Sequence, residues 1–410
     1  MIRLLLATIL CVLSFDSYSL EPREVKQWKD DLQVYEDKLS HLHIDIFHSV
    51  PAKDFRQQLR GLRERLPSMS RSQVIVELMK ITRTINDGHT SVPLWNQKLK
   101  KFPIKFKAIK GDFYVTAATF EHFNLLGAKL HSINGTSKEI ISNKFSQIVP
   151  FSENNYSVMS NTGYYLNRAE LLEGLGVTDN VFSVQFEFLI GDEVVKVPLN
   201  SSTSHDDFKT LRYRSISATG IDIVEKVNSN VWFGSALDGK AVYFKFRRYP
   251  SMSEMESLAE KLLAFINDNQ SKNLIIDLRE NYGGDFFIGL KLAQHLVLAD
   301  SIDWKSGVYV LIDNETFSAA MSNAAQYTQI LNAKLVGEPT GAKPSGYQDM
   351  GQFTLPNSNL VVTYSKRLYR FKDEGKDALY PDVTIPLSID DYINGQDKPL
   401  NWIIAELKEN

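Results

Sequence analysis

The run VYVLIDNETFSAAM, residues 308–321, combines the pattern of a buried strand with that of a helix start. Five apolar residues predict the strand, a polar break follows, and the small residues after Ser318 lead into a helix-like stretch that reaches Tyr327. At such a turn the hydroxyl is lifted out of the sheet, and the helix N-terminus adds free N–H groups and a positive dipole end. The pattern makes Ser318 a candidate nucleophile, although a serine that only caps the helix would look the same.

A second strand-to-helix turn lies upstream, in the run NLIIDLRENYGGD at residues 273–285. Gly283 and Gly284 follow the apolar residues and precede an amphipathic stretch at 286–298. Glycines let the backbone approach a ligand closely with its N–H groups free, and such donors can bind a developing oxyanion. A plain left-handed turn would use the same two residues, so this pattern alone leaves both interpretations open.

Strand and helix patterns alternate through the C-terminal half of the chain. Their order predicts a mainly parallel, layered α/β domain over residues 204–410. Residues 20–98 have helical periodicity, and residues 99–203 have short strand patterns separated by turns. We therefore expect an N-terminal helical domain, a β-rich middle region and a C-terminal α/β domain.

Residues 1–19 have the layout of a secretory signal peptide. Arg3 precedes an apolar stretch from Leu4 to Phe15, and small residues stand at Ser17 and Ser19. The apolar stretch is too short to span a bilayer comfortably. Because the two small residues would occupy positions −3 and −1, we predict cleavage after Ser19. The expected protein is exported, periplasmic or extracellular, without stable membrane insertion.

The composition excludes several classes of function. The 410 residues carry a net charge of −3, which does not indicate nucleic acid or an anionic membrane surface as a partner. Cys11 is the only cysteine and lies in the predicted signal peptide, so the mature chain has neither a disulfide nor a thiolate nucleophile. His41 and His43 form an H-x-H pair without a nearby third ligand. We expect no metal and no cofactor, and the sequence indicates no oligomeric state.

Four segments together resemble peptidase family S41, which includes tail-specific processing proteases, tricorn-type proteases and retinoid-binding-protein-like domains. In chain order they are DGHT at 87–90, LIIDLRENYGG at 274–284, TFSAA at 316–320 and GEPT at 337–340. The later pair Pro381-Asp382 also fits the family pattern. The resemblance implies a Clp-protease/crotonase-like α/β catalytic domain and a PDZ-like middle module that grips peptide tails by strand addition.

The resemblance also implies roles for single residues. Ser318 would attack a peptide carbonyl, and the backbone N–H groups of Gly284 and Ala319 would bind the resulting oxyanion. A serine hydroxyl needs a base to remove its proton, and two candidates remain open. Lys343 matches the lysine of the processing proteases, and His89 matches the histidine of the tricorn-like branch.

The two candidate bases differ in how well their surroundings fit the family. Ahead of Lys343 the family's Phe-Gly is replaced by Gly-Ala, which weakens the dyad interpretation. An unperturbed histidine titrates near neutrality, so a histidine base needs less adjustment by its surroundings than a lysine base. We expect Gly88 to end a helix, which would leave His89 in an exposed position just beyond it. In the tricorn-like branch a late glutamate completes the network. Glu374 is the candidate here, and Asp373 and Asp377 compete with it.

Three functional hypotheses follow. The first is an exported serine endopeptidase that acts on unfolded or tail-exposed polypeptides. The second is a catalytically inactive protein on the same scaffold that binds peptides or other ligands. Processing proteases usually have an acidic residue at the position of Met321, so Met321 favours the tricorn or retinoid-binding-like side of the family and keeps this second hypothesis open. The third is a crotonase-like acyl-CoA enzyme, against which export argues because CoA thioesters are cytosolic.

Overall fold

The structure, a computed structural model, describes residues 19–204, 211–213, 218, 220–371 and 375–409. The expected signal peptide therefore lies outside the described residues, apart from Ser19. Among the described residues, no helix is both long and apolar enough to cross a bilayer.

The N-terminal part consists of three helices, α1 (Pro22–Leu42), α2 (Ala52–Arg65) and α3 (Arg71–Arg83). The predicted capping box is present at the start of α3, where Ser70 and Gln73 exchange side-chain-to-backbone hydrogen bonds. The prediction that Gly88 ends this helix is wrong. Helix α3 ends at Arg83, and the left-handed turn that follows is made by Asn86, with φ of 62°.

The middle region is an antiparallel sheet in the order β1-β2-β3-β5-β6, with β4 paired to β3 and β7 to β2. The predicted hairpin around Gly191-Asp192 is formed by the two strands on either side of it. The region also contains three helices that the sequence patterns did not indicate. Its elements are β1 (Ile104–Ile109), β2 (Asp112–Ala118), β3 (Lys129–Ile133), β4 (Thr136–Ser137), α4 (Lys138–Ser146), α5 (Asn155–Tyr165), α6 (Ala169–Gly174), β5 (Ser183–Ile190), β6 (Glu193–Asn200) and β7 (Arg212–Tyr213).

The C-terminal region is the predicted layered α/β domain. Its sheet has the order β16-β13-β12-β11-β10-β9-β8, and the pairings from β10 to β13 and on to β16 are parallel. Its elements are β8 (Asp222–Asn228), β9 (Val231–Ala236), β10 (Ala241–Phe246), α7 (Met252–Asn269), β11 (Asn273–Asp277), α8 (Phe286–Leu296), β12 (Val308–Ile312), α9 (Ala319–Ile330), β13 (Lys334–Gly337), β14 (Ser345–Thr354), β15 (Val361–Arg370), β16 (Val383–Thr384), α10 (Ile389–Ile393) and α11 (Lys398–Glu409).

Both faces of this sheet are covered, which explains why its strands are apolar throughout. In β11, Leu274 and Ile276 pack among α7, α8 and α9, whereas Ile275 packs on the opposite face with Leu400 and Ile403 of α11. The carboxyl ends of the parallel strands β11 and β12 lead into the two turns described from the sequence.

The hairpin of β14 and β15 connects the α/β domain to the N-terminal helices. Phe353 and Val362 of this hairpin belong to the same hydrophobic core as Tyr35 and Leu78. That core also runs through the middle sheet, so the predicted boundary between residues 98 and 99 is not marked by a separate core and stays a prediction. Through this hairpin the segment that carries DGHT is held against the α/β domain.

Candidate active site

Ser318 occupies a strained turn between β12 and α9. Its φ is 50° and its ψ is −125°, a conformation that costs free energy for a residue with a side chain and persists only where the surroundings enforce it. Ser318 stands at the N-cap position, but its side chain makes no capping hydrogen bond. The interpretation as a simple helix cap is therefore wrong, and the hydroxyl is available for another partner.

That partner is His89, whose Nε2 lies 2.8 Å from Ser318 Oγ although 229 residues separate them. The imidazole stacks on Phe317, with ring centroids 5.4 Å apart. His89 is only 3% exposed, so the expectation of an exposed position is wrong. The reason is that the hairpin of β14 and β15 packs over the DGHT segment, with Thr363 bridging to Ser91.

Asp87 fixes the backbone around His89. Its Oδ1 accepts hydrogen bonds from the N–H groups of His89 at 2.9 Å and Thr90 at 2.8 Å, and from the Ser365 hydroxyl at 2.7 Å. Its Oδ2 lies 2.8 Å from His43 Nε2. Burial opposes ionisation, but these hydrogen bonds outweigh it and lower the pKa of the Asp87 carboxyl. One member of the H-x-H pair is thus a partner of Asp87, and the described residues contain no cluster of three potential metal ligands.

Glu153 faces the other nitrogen of the imidazole. Its Oε1 lies 3.5 Å from His89 Nδ1, and both atoms are buried without a hydrogen bond in the described part of the chain. The distance is long for a hydrogen bond. A Cβ on Gly88 would lie 2.4 Å from Glu153 Cγ, so the glycine of DGHT makes room for this carboxylate.

No sequence pattern pointed to Glu153. It lies just ahead of α5, whose N-cap Asn154 donates to the carbonyl oxygens of Thr340 at 3.0 Å and Asp377 at 2.7 Å. The GEPT turn thus anchors the loop that carries Glu153, a contact across 186 residues. Glu374, the glutamate expected to complete the network, lies outside the described residues.

Lys343 reaches the site through its backbone. Its N–H donates to Glu153 Oε2 at 2.7 Å, and its side chain does not line the cavity around Ser318. The structure therefore brings His89, and not the ammonium group of Lys343, to the serine hydroxyl.

The Gly-Gly turn lies directly against Ser318. Gly283 has φ of 99°, and a Cβ there would lie 2.7 Å from Ser318 Cβ, so this position requires glycine. The Gly283 N–H donates to Asn281 Oδ1, whereas the N–H groups of Gly284 and Ala319 have no hydrogen-bond partner among the described residues. Both of these residues line the cavity, and Ala319 begins helix α9. The two free donors are those expected to bind an oxyanion.

A cavity of about 820 Å³ opens in front of Ser318. Its walls are mainly aromatic: Trp95, Phe151 and Tyr164 come from the N-terminal and middle regions, and Phe287 and Tyr369 from the α/β domain. Trp95 is 52% exposed and Phe287 is 57% exposed, which is unusual for side chains of this size. A bound chain would cover these rings.

A serine with a strained backbone, a histidine hydrogen-bonded to its hydroxyl and two free N–H donors together have the arrangement of a serine hydrolase site. Residues 246–385, which include Ser318 and both glycines, match the sequence model of peptidase family S41. The resemblance found in the sequence is thereby confirmed: this segment belongs to peptidase family S41, and the protein is a serine-type peptidase.

Comparison with the solved structure of mature CPAF supports the same fold over nearly the whole chain. Mature CPAF matches with a TM-score of 0.63 at 13% identity, covering 94% of this chain and 97% of that chain. The photosystem II D1 C-terminal processing protease matches with a TM-score of 0.42 at 15% identity, covering 91% and 97%. Tricorn protease matches with a TM-score of 0.43 at 15% identity, covering 93% and 37%. No curated protein matches the chain.

Proposed function

We propose that this protein is an exported serine endopeptidase that cleaves unfolded or tail-exposed polypeptides with Ser318 as nucleophile and His89 as base. The observation that carries the proposal is the 2.8 Å separation of His89 Nε2 and Ser318 Oγ. This is the distance that proton transfer from a serine hydroxyl to an imidazole requires.

In the proposed reaction, neutral His89 carries its proton on Nδ1, facing Glu153, and Nε2 is free to accept. Ser318 Oγ attacks the peptide carbonyl as its proton passes to Nε2. The carbonyl oxygen becomes an oxyanion that the N–H groups of Gly284 and Ala319 stabilise, each by about 3–4 kcal/mol. His89 then returns the proton to the leaving amine, and an acyl-enzyme remains on Ser318.

Hydrolysis repeats these steps with water as the nucleophile. His89 takes a proton from water, the hydroxide adds to the acyl carbon, and collapse of the intermediate releases the carboxylic acid and restores the Ser318 hydroxyl. The buried carboxylate of Glu153 orients the imidazole and stabilises its charged form. Glu153 thus takes the role first assigned to Glu374.

Export is part of the proposal and rests on the layout of residues 1–19. The absence of cysteine from residues 20–410 is compatible with an oxidising compartment, because no thiol is exposed to it. Mass spectrometry of the N-terminus of protein recovered from an extracytoplasmic fraction tests it. An intact residue 1 in that fraction contradicts the predicted cleavage.

The central experiment compares four variants on one fluorogenic peptide, with circular dichroism as the folding control. Ser318→Ala and His89→Ala are expected to lose at least 10³-fold in kcat, and Glu153→Gln at least tenfold. Lys343→Ala is expected to remain within about twofold of the wild type. If Lys343→Ala is inactive while His89→Ala is active, the lysine is the base and the proposed assignment fails.

Labelling by a serine-reactive phosphonate separates this proposal from a protein that only binds peptides. We expect one covalent adduct at Ser318 and none in Ser318→Ala. A wild-type protein that binds peptides but neither reacts nor cleaves supports the inactive binding protein instead.

A further inference from the structure

A partly buried charged cluster connects the two turns of the site, and its cation Lys107 comes from the middle region. Lys107 is on strand β1, and its ammonium group contacts the carboxylates of Glu315 and, at 3.3 Å, Glu280. Its side chain is 18% exposed and does not line the cavity around Ser318. Glu315 lies three residues before Ser318, and Glu280 lies four residues before Gly284.

The same carboxylates join the two turns to each other. Glu315 Oε2 accepts a hydrogen bond from the Tyr282 hydroxyl at 2.8 Å. The Asp313 carboxylate accepts from the Glu280 N–H at 3.1 Å and from the Glu315 N–H at 3.0 Å. The turn that offers the Gly284 N–H is therefore tied to the turn that offers the Ala319 N–H.

Three carboxyl groups so close together repel one another unless a cation compensates them. Burial and the charge of Glu315 raise the pKa of Asp313 to about 7. Burial opposes a charge on Lys107, but the carboxylates, Glu315 foremost, outweigh it and raise the pKa of its ammonium group. Arg247 contacts Glu280 at 2.5 Å from the solvent side, so Lys107 is the cation between Glu280 and Glu315.

Backbone strain shows why this fixation matters. Glu280 has φ of 55° and Ser318 has φ of 50°, so each turn contains a residue with a side chain in the left-handed region. Such conformations persist only where several contacts enforce them. The contact with Lys107 holds the side chain of Glu280 in place.

We propose that Lys107 is a positioning residue that fixes the distance between the two oxyanion donors, Gly284 N–H and Ala319 N–H. The inference rests on the proposed function. Loss of the Lys107 charge lets the two turns separate, which weakens the stabilisation of the oxyanion. Substrate binding in the aromatic cavity should change less, because Lys107 does not line the cavity and is connected to it only through Glu315 and Tyr282.

The test measures kcat and KM separately for Lys107→Met, Lys107→Arg and Glu315→Gln. Lys107→Met is expected to lower kcat by about 10- to 100-fold with KM within about twofold, because only transition-state contacts are lost. The inhibition constant of a peptide aldehyde, whose adduct with serine places an oxyanion at the same donors, should rise in parallel. Lys107→Arg should restore kcat to within about threefold of the wild type.

Lys129→Met is the matched control, because Lys129 is also a lysine of the middle sheet with a carboxylate partner, Asp112 at 3.5 Å, but lies outside this cluster. Folded Lys107→Met with kcat within twofold of the wild type overturns the inference, as does an equal loss in Lys129→Met. If Lys107→Met does not fold, Glu315→Gln decides, since an unchanged kcat there contradicts the inference. A wild type no more active than Ser318→Ala refutes the proposed function instead.

Discussion

Substitution of Gly88 by alanine isolates the contribution of Glu153 without changing any polar group. The added Cβ would lie 2.4 Å from Glu153 Cγ, 2.5 Å from Oε1 and 2.8 Å from Cδ. Glu153 cannot swing away freely, because its Oε2 accepts the Lys343 N–H at 2.7 Å. Normal van der Waals contact requires the carboxylate to move by about 1 Å, which displaces Oε1 from its position 3.5 Å from His89 Nδ1.

A displacement of about 1 Å in a catalytic group costs on the order of 10²-fold in rate, or about 2.7 kcal/mol of transition-state stabilisation. We therefore expect Gly88→Ala to lower kcat/KM on a fluorogenic peptide by about 10²-fold. The backbone of Gly88 is outside the left-handed region, so alanine adds no backbone strain. The protein should fold, as measured by circular dichroism and thermal unfolding.

Two controls show whether the loss acts through the carboxylate. Gly61→Ala, in helix α2 with no atom within 4 Å of the new Cβ, should leave kcat/KM unchanged and stabilise the fold by up to about 1 kcal/mol. In a Glu153→Ala background, Gly88→Ala should cost nothing further, because the obstructed carboxylate is gone. Wild-type activity of folded Gly88→Ala, or an equal loss in both backgrounds, would refute the reasoning.

Three further predictions follow from the site and its support. Lys343→Pro removes the backbone N–H that donates to Glu153 and should lower kcat by about tenfold. Lys343→Ala keeps that N–H and should not lower kcat. Equal kcat values for the two variants would contradict the role of the N–H. Phe287→Ala should lower kcat/KM by about 5- to 30-fold for peptides with aromatic side chains and less for alanine-rich peptides, since the exposed ring forms a cavity wall. Asp277 is buried, but the charge of Arg279 lowers the pKa of its carboxyl to about 2. The ionised Asp277 carboxylate therefore stabilises the folded state by about 2 kcal/mol above about pH 4, and this contribution is lost as the pH falls from about 4 to 2. Urea unfolding of Asp277→Asn should therefore show a lower stability at pH 7 and a weaker pH dependence in that window.

The sequence predicted the α/β domain because its signals are local. In β11, and again in β12, the apolar run and the turn residues after it lie within about a dozen positions. The same locality made Ser318, Gly284 and Ala319 recognisable as a candidate nucleophile and two candidate donors. Local patterns failed to predict where helix α3 ends, because Asn86, and not Gly88, makes the left-handed turn after it.

By itself, the sequence indicated the family, a candidate nucleophile and a candidate oxyanion turn, since each depends on residues that are neighbours in the chain. Only the tertiary structure distinguished the two candidate bases, because it places His89, and not the side chain of Lys343, beside Ser318. His89 reaches Ser318, and Glu153 reaches His89, from two other parts of the fold, held by the hairpin of β14 and β15 and by the GEPT turn. Contacts across 186 and 229 residues leave no periodicity or spacing in the sequence, because they arise from packing between elements and not within them.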